Sequence, residues 1–378
     1  MLGRNVIPVA RPRLPPARAI MPYLRQIDTN RWYSNHGPLV RLFQSRLARH
    51  WGVGQSEVTL LSNATTALTL ALLASGAPGG TRCLMPSWTF AATAGAAVQA
   101  GLVPHFVDVC PQRWTPRPDE IRLLAARYDV GAIMIVAPFG APIDTAEWER
   151  VQADTGIPVV IDAAAAFDTI REGGSMPLRA CATVVSLHAT KVFGIGEGGA
   201  LLSQDPAFME RVRRLAQFGF LGTREATLPG TNAKLSEYAA AVGLAGLDEW
   251  PETRARWYVA QAAYERCLLD MSPPMTGDKA AVSSTYNVLC PRDAGGVMDT
   301  LASAGVATLQ WWGAGCHAQP AFQAYPAEPL PVTRQLARHT IGLPFWQGMT
   351  SADIKVVCTA FDRACSRAHH MEAVRWAG

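Results

Sequence analysis

Between residues 58 and 162, short apolar runs alternate with stretches of helical character, and this alternation constrains the fold more than any other feature. The runs cover residues 58–61, 82–85, 103–109, 131–137 and 157–162. Between them lie a run of strong helix formers at 67–74, an alanine-rich stretch ending at Ala100, and helix-like segments at 121–128 and 145–155. Strands alternating with helices predict a mainly parallel sheet covered on both faces. In such sheets, ligands bind beyond the carboxyl ends of the strands. Asp162 closes one of these runs and is placed there. A carboxylate at that depth needs a cationic partner, because burying it alone is very costly. A protonated pyridine nitrogen would serve; the other role open to Asp162 is the N-cap of the alanine-rich segment that follows.

A second apolar run, 182–185, leads into Ser186-Leu187-His188-Ala189-Thr190-Lys191 and then a glycine-rich loop. The order is strand, lysine, tight loop, strand. Taken alone, Lys191 would be a solvated surface residue. Gly194, Gly196 and Gly199 spell a dinucleotide-type G-x-G-x-x-G. A strand-like run follows instead of a helix, and no acidic residue stands at a strand end about 20 residues on, so a dinucleotide site is excluded.

Two more segments bear on Lys191 and Asp162. Ser62-Asn63-Ala64-Thr65-Thr66 sits between a strand and a helix. Small hydroxyl and amide residues there fit an ordinary N-cap, and they equally fit a phosphate held by free backbone N–H groups. Phe90 lies just after the run 82–85, where an aromatic ring either covers a flat ligand or packs in the core. Lysine, aspartate, phosphate cradle and aromatic cover together point to pyridoxal phosphate (PLP).

At 378 residues the chain is too long for one small core, and its length suggests about two or three domains. With 49% hydrophobic and 17% charged residues it can bury a large core. A net charge of +4 without a dense Lys/Arg run gives no case for nucleic acid. Prolines 8, 12, 15 and 16 break the first twenty residues, which therefore do not read as a secretory signal; the stretch 4–18 reads as an extended arm, and 1–30 as extended, then weakly helical. The longest weakly charged run, 83–105, is too interrupted for a membrane span. The eight cysteines contain no Cys-x-x-Cys pair and read as reduced thiols of a cytoplasmic protein, with no metal site.

Residues 31–38 form a turn-rich loop, and 39–51 carry apolar residues at helical spacing. After the lysine loop come a basic helix at 208–218, a polar loop at 228–234 and a long helix at 236–250. Pro251 marks the expected boundary between a large domain, 1–250, and a smaller α+β domain, 251–378. The connector helix is expected over 253–271. Short strands (286–290) and helices (297–304, 351–365) follow, with an aromatic, polar loop at Trp311, Trp312, Gly313, Gly315, Cys316 and His317.

In seven segments taken in order, the chain resembles the DegT/StrS family of PLP-dependent nucleotide-sugar aminotransferases. They are 33–40, 62–68, 86–93, 106–109, 161–164, 186–199 and 232–247. The resemblance implies a fold-type I PLP-dependent transferase, with a mainly parallel seven-stranded α/β sheet between helices and a smaller C-terminal domain. It implies that Lys191 holds PLP covalently and moves a proton between the substrate α-carbon and the cofactor C4′. Asp162 would pair with the pyridine nitrogen, Phe90 would stack on the ring, and Ala64, Thr65 and Ser186 would bind phosphate. Asn232 would bind the phosphate of a partner subunit, so the resemblance implies a homodimer with shared sites. His317, His188, Trp312 and Lys234 are candidate substrate-binding residues; the 311–317 loop falls where the family has a His-containing loop near the acceptor, and His188 matches the family pattern. Ala165 stands where the family commonly has Gln or His, and Ala233 and Lys234 stand where Tyr and Arg often follow the asparagine.

Glutamate is the implied amino donor and a nucleotide-linked keto sugar the acceptor. Residues 32–40 most resemble the subgroup acting on dTDP-4-keto-6-deoxyglucose. A sugar dehydratase is disfavoured because that branch replaces the lysine by histidine. A regulatory relic is disfavoured by the intact Lys191, Asp162 and Ser186. An aminotransferase for cyclitols or aromatic precursors would share every motif.

Overall fold

The computed structural model describes residues 6–220, 222–268 and 281–366. Two helices open it, α1 (Ala17–Asn30) and α2 (Pro38–Trp51). The start of α2 is closed by a residue far along the chain. The carboxylate of Glu237 accepts the N–H groups of Leu39 and Val40, each at 2.8 Å, so two donors with no intrahelical partner are satisfied. Gly37 is required beside it, because a Cβ there would lie 2.6 Å from the carboxylate carbon.

The alternation then appears as expected: β1 (Val58–Leu61), α3 (Ala64–Ala74), β2 (Arg82–Pro86), α4 (Ala91–Gln99), β3 (Val103–Val107), α5 (Pro118–Arg127), β4 (Val130–Val136), α6 (Thr145–Thr155) and β5 (Val159–Asp162). β6 (Ala182–Ser186), β7 (Gly199–Leu202), α7 (Pro206–Leu215) and α8 (Glu237–Asp248) follow. The strands form one seven-stranded sheet in the order β1-β7-β6-β5-β4-β2-β3. Only β7 runs against its neighbours. Successive residues of β4 point to opposite faces: Ala132 and Met134 pack with α3, α4 and α7, while Ile133 and Ile135 pack with α2, α6 and α8. Both faces are therefore covered, and the carboxyl ends of β2, β4, β5 and β6 open along one edge.

Two local expectations change. The strand expected over 103–109 ends at Val107. No helix follows Asp162, so the N-cap role drops out. Ala163 donates to Val184 of β6 and Ala166 donates back to Ala163, which makes a turn.

The rest of the chain contains α9 (Trp250–Leu268), β8 (Tyr286–Leu289), α10 (Ala294–Ser303), α11 (Pro331–His339), β9 (Thr340–Leu343) and α12 (Ser351–Ser366). Pro251 sits in the first turn of α9, where its missing N–H costs nothing. The end of the expected connector helix, 269–271, lies outside the described residues. β8 and β9 make an antiparallel pair that packs with α9, α10 and α12. Helix α11 and β9 were not anticipated. The start of α11 is held by Asp108, which accepts from the N–H groups of Val332 and Thr333 and from the Thr333 hydroxyl. That cap comes from more than 200 residues away. Among the described residues, no helix is long and apolar enough to cross a membrane.

One buried histidine ties stability to pH. His50 on α2 stacks on Phe167 at 4.7 Å and meets the edge of Trp250. Its Nε2 is buried without a partner. Burial pushes its pKa from 6.5 down to about 4, with Asp168 opposing and Arg171 and Arg254 adding to the shift. The folded value lies below the unfolded one, so this stability is complete above pH 6.5 and is lost as the pH falls toward 4. Urea unfolding at pH 7 and pH 4.5 should therefore show a loss of about 2 to 3 kcal/mol that His50→Phe lacks. Equal losses in both proteins would refute it.

Candidate active site

Asp162 lies at the carboxyl end of β5, between Val136 of β4 and Val184 of β6, and is 6% exposed. One carboxylate oxygen accepts from the Thr93 hydroxyl at 2.8 Å and the other from the Ala164 N–H at 3.1 Å. Burial raises its pKa, and those two bonds and Lys191 oppose the rise. The carboxylate is thus aimed and desolvated, and a cation placed against it would hold it ionised.

Thr93 is the residue that reasoning from the sequence missed. It lies within 86–93, a segment in which the resemblance assigns a role only to Phe90. Thr89 and Thr93 are one turn apart at the start of α4, and their hydroxyls bond at 2.7 Å. A second threonine four residues on, facing a strand-end aspartate, was the available signal. Thr93→Val should cut turnover about tenfold, because a bond to a charged group is lost. Thr93→Ser should keep most activity. Wild-type turnover by the valine variant would contradict the role.

Lys191 stands on the turn that leaves β6. Its burial lowers its pKa, with Asp162 acting in the opposite direction. The two groups feel each other's charge but do not close into an ion pair. The glycine loop folds back on the turn: Leu187 N bonds Gly198 O, Ala189 N bonds Gly196 O, and Ile195 N bonds Leu187 O. At Gly194 a Cβ would come within 2.9 Å of Ala189 backbone, which accounts for the glycine. The loop ends in β7, antiparallel to β6, and no helix with a phosphate-facing N-terminus follows it.

Ser186 pairs with Gly199 across that turn. Gly199 lies so close to the start of α3 that a Cβ would sit 2.7 Å from the Ala64 nitrogen. Hence Ser186, Ala64 and Thr65 converge, although they come from distant segments. Asn63 caps Thr66 N at 2.8 Å. The N–H groups of Ala64 and Thr65 are the first two of the helix and have no intrahelical acceptor. This donor set, with the positive end of the helix behind it, suits a dianionic phosphate. Phe90 is 60% exposed, so it is not core packing; it stands at the N-cap of α4, open for stacking. Phosphate cradle, buried aspartate, deep amine and open aromatic ring fit PLP.

A wall of aromatic rings borders the carboxyl ends of β2 and β4. Trp312 stacks on Phe139 at 3.9 Å and meets the edge of Trp88 at 5.4 Å. His317, five residues further on, bonds Ser87 through Nδ1 at 2.6 Å. The loop anticipated at 311–317 therefore docks on the strand end that precedes Phe90. His188 bonds Thr190 at 2.8 Å and lies 3.6 Å from Glu197, within its own loop. Asn232 and Lys234 lie in a segment joined by its backbone to the start of the cradle, where Ser62 N donates to Ala233 O at 2.8 Å and Lys234 pairs with Leu61. Asn232 is exposed and accepts from Lys234 Nζ at 2.6 Å, and that amine lies 4.5 Å from the Phe218 ring.

The comparisons with known proteins agree with this geometry. Protein Rv3402c of Mycobacterium tuberculosis is 31% identical over 376 residues, spanning 95% of this chain and 90% of that one. The dTDP-4-amino-4,6-dideoxy-D-glucose transaminase of Escherichia coli is 32% identical over 73% of each chain. The structure of DesI with its TDP-sugar product superposes with a TM-score of 0.85 at 32% identity, covering 97% of this chain and 94% of that one. A model of the DegT/DnrJ/EryC1/StrS aminotransferase family matches residues 17–362, from the start of α1 into α12. Family match and site geometry lead to one conclusion: the chain belongs to the DegT/DnrJ/EryC1/StrS aminotransferases and is a PLP-dependent transaminase.

Proposed function

We propose that this aminotransferase moves an amino group from L-glutamate to the keto group of a nucleotide-linked deoxysugar, dTDP-4-keto-6-deoxyglucose. The observation that carries the acceptor is the likeness, along nearly the whole chain, to DesI bound to its TDP-sugar product. The similarity to the Escherichia coli sugar transaminase supports the same acceptor.

When bound, PLP supplies an electron sink for the carbanion formed at the substrate α-carbon. The chain does the rest. Asp162, aimed by Thr93 and Ala164, holds the pyridine nitrogen protonated. Ala64, Thr65 and Ser186 bind and orient the phosphate. Phe90, exposed at the N-cap of α4, would cover one face of the ring and keep water from it. Burial lowers the Lys191 pKa, which favours its neutral amine. That amine would carry the proton from the donor α-carbon to the cofactor C4′ and, in the second half, from C4′ to the sugar carbon that becomes aminated. Donor and acceptor use one site in turn, which predicts ping-pong kinetics.

The working unit is a homodimer in the cytoplasm, with Asn232 reaching the partner's phosphate site. Exposed Trp32, Tyr33 and Tyr238 support such an interface. Tyr33 stacks on Tyr238 at 6.3 Å, and its carbonyl accepts from Glu237 N, in the segment that follows Asn232. Residues 1–250 and 251–378 act as large and small domains.

The test is a mass spectrum after mixing protein, PLP, glutamate and dTDP-4-keto-6-deoxyglucose. An amino-sugar nucleotide with 2-oxoglutarate is expected. A deoxy-keto product without amine transfer would overturn the reaction. Consumption of glutamate without amination of the sugar would overturn the acceptor and direct the search to cyclitol or aromatic ketones.

A further inference from the structure

Ser87 follows the last residue of β2 and has no exposed surface. Three bonds tie the 311–317 loop to it. Its carbonyl accepts from Cys316 N at 2.7 Å, and its hydroxyl oxygen accepts from His317 N at 3.3 Å. The same hydroxyl meets His317 Nδ1 at 2.6 Å. Gly315 lets the loop come this close. It has φ +91°, and a Cβ there would sit 3.2 Å from both the Ser87 oxygen and Nδ1.

The proton of that last bond can be placed. A buried hydroxyl must give its hydrogen to some acceptor, and no water reaches Ser87. Nδ1 is the acceptor in contact with it, so Nδ1 carries the lone pair and the imidazole proton lies on Nε2. Burial and the nearby Arg334 both lower the His317 pKa, against a weaker opposing effect of Asp108, which favours the neutral ring. Asp108 is itself taken up by the start of α11. Nε2 bonds nothing among the described residues and is not enclosed. It belongs to the loop whose Trp312 lines the aromatic wall at the mouth of the site.

We propose that Ser87 is a positioning residue that holds His317 as its neutral Nε2–H tautomer, so that the acceptor side of the cleft offers a hydrogen-bond donor to an oxygen of the incoming keto sugar. The donor half of the reaction does not use this contact. The proposal rests on the sugar-aminotransferase function above, and its tautomer half can be read without any sugar.

Two measurements on the holoenzyme test it. The first is a long-range proton–nitrogen NMR spectrum of histidine-labelled protein at pH 7.5, with His317→Ala assigning the signal. Wild type should show a single Nε2–H tautomer, and Ser87→Ala should show both tautomers or a shift toward Nδ1–H. A His317 signal unchanged by Ser87→Ala would overturn the proposal. The second is a double-mutant cycle on the acceptor KM. His317→Ala should raise that KM about tenfold, the loss of roughly one hydrogen bond, and Ser87→Ala should raise it by a smaller factor, in proportion to the Nε2–H population it loses, with the glutamate KM unmoved. In the His317→Ala background, Ser87→Ala should add no further rise, because it acts only through the imidazole. Additive effects, or an unchanged acceptor KM in Ser87→Ala, would overturn it. If wild type aminates no keto sugar, the proposed function fails, and the tautomer still stands or falls on the spectrum.

Discussion

Lys191→Ala is expected to lower steady turnover by roughly 10⁴-fold or more, since both the covalent tether and the proton carrier are removed. The variant should still fold and should bind PLP reversibly, because Asp162, Thr93, Ser186 and the start of α3 are untouched. Dialysis should strip the cofactor from the variant but not from the wild type. Lys191→Arg should not restore activity, because a guanidinium stays charged and cannot accept the proton. Burial depresses the lysine pKa, and Asp162 acts in the opposite direction. The proton-transfer step needs the neutral amine, so its rate should climb as the pH rises through that lowered pKa and level off above it. Wild-type turnover by Lys191→Ala would remove the assigned chemistry altogether.

Asp168→Ala carries the largest expected loss of stability. Asp168 is fully buried in the turns that follow β5. Its carboxylate accepts from Arg254 Nε at 2.8 and 3.1 Å and from the Val282 N–H at 2.9 Å, and Arg171 lies 3.6 Å away. One side chain thus links the large sheet to α9 and to the segment leading into β8. Alanine would leave the Val282 N–H buried without its acceptor and the two arginines without this carboxylate. Breaking a buried charge cluster typically costs 3–5 kcal/mol; Arg254 is 30% exposed, which lowers the expectation to about 3 kcal/mol. Asp168→Asn keeps an acceptor oxygen and should lose less. Denaturant melts of both variants at pH 7 check the order, and a loss below about 1 kcal/mol for alanine would show that solvent already screens the cluster.

The layered α/β fold was legible because its signals are local. Strand and helix periods lie within each short window, and the parallel sheet with its open edge follows from their alternation. Asp162, Ser186 and the 62–66 segment stood out for the same reason, each at the end of an apolar run, and Lys191 stood out on the polar turn that follows one. Thr93 was visible as a letter but not as a partner, because its role depends on which strand lies under α4. Helix α11 escaped notice because its cap, Asp108, sits at the end of another strand. His317 and Trp312 could be placed near the acceptor by resemblance alone; only the folded chain set them against Ser87, Trp88 and Phe139.

The sequence by itself determined the layered architecture and the chemical types at the strand ends, since burial pattern and residue type are properties of short segments. The tertiary structure decided electrostatics and contact: which carboxylate is desolvated, which amine has its pKa lowered, and which nitrogen of His317 is left free to donate. Those depend on dielectric and on distances between residues far apart in the chain, and both arise only when distant segments pack together.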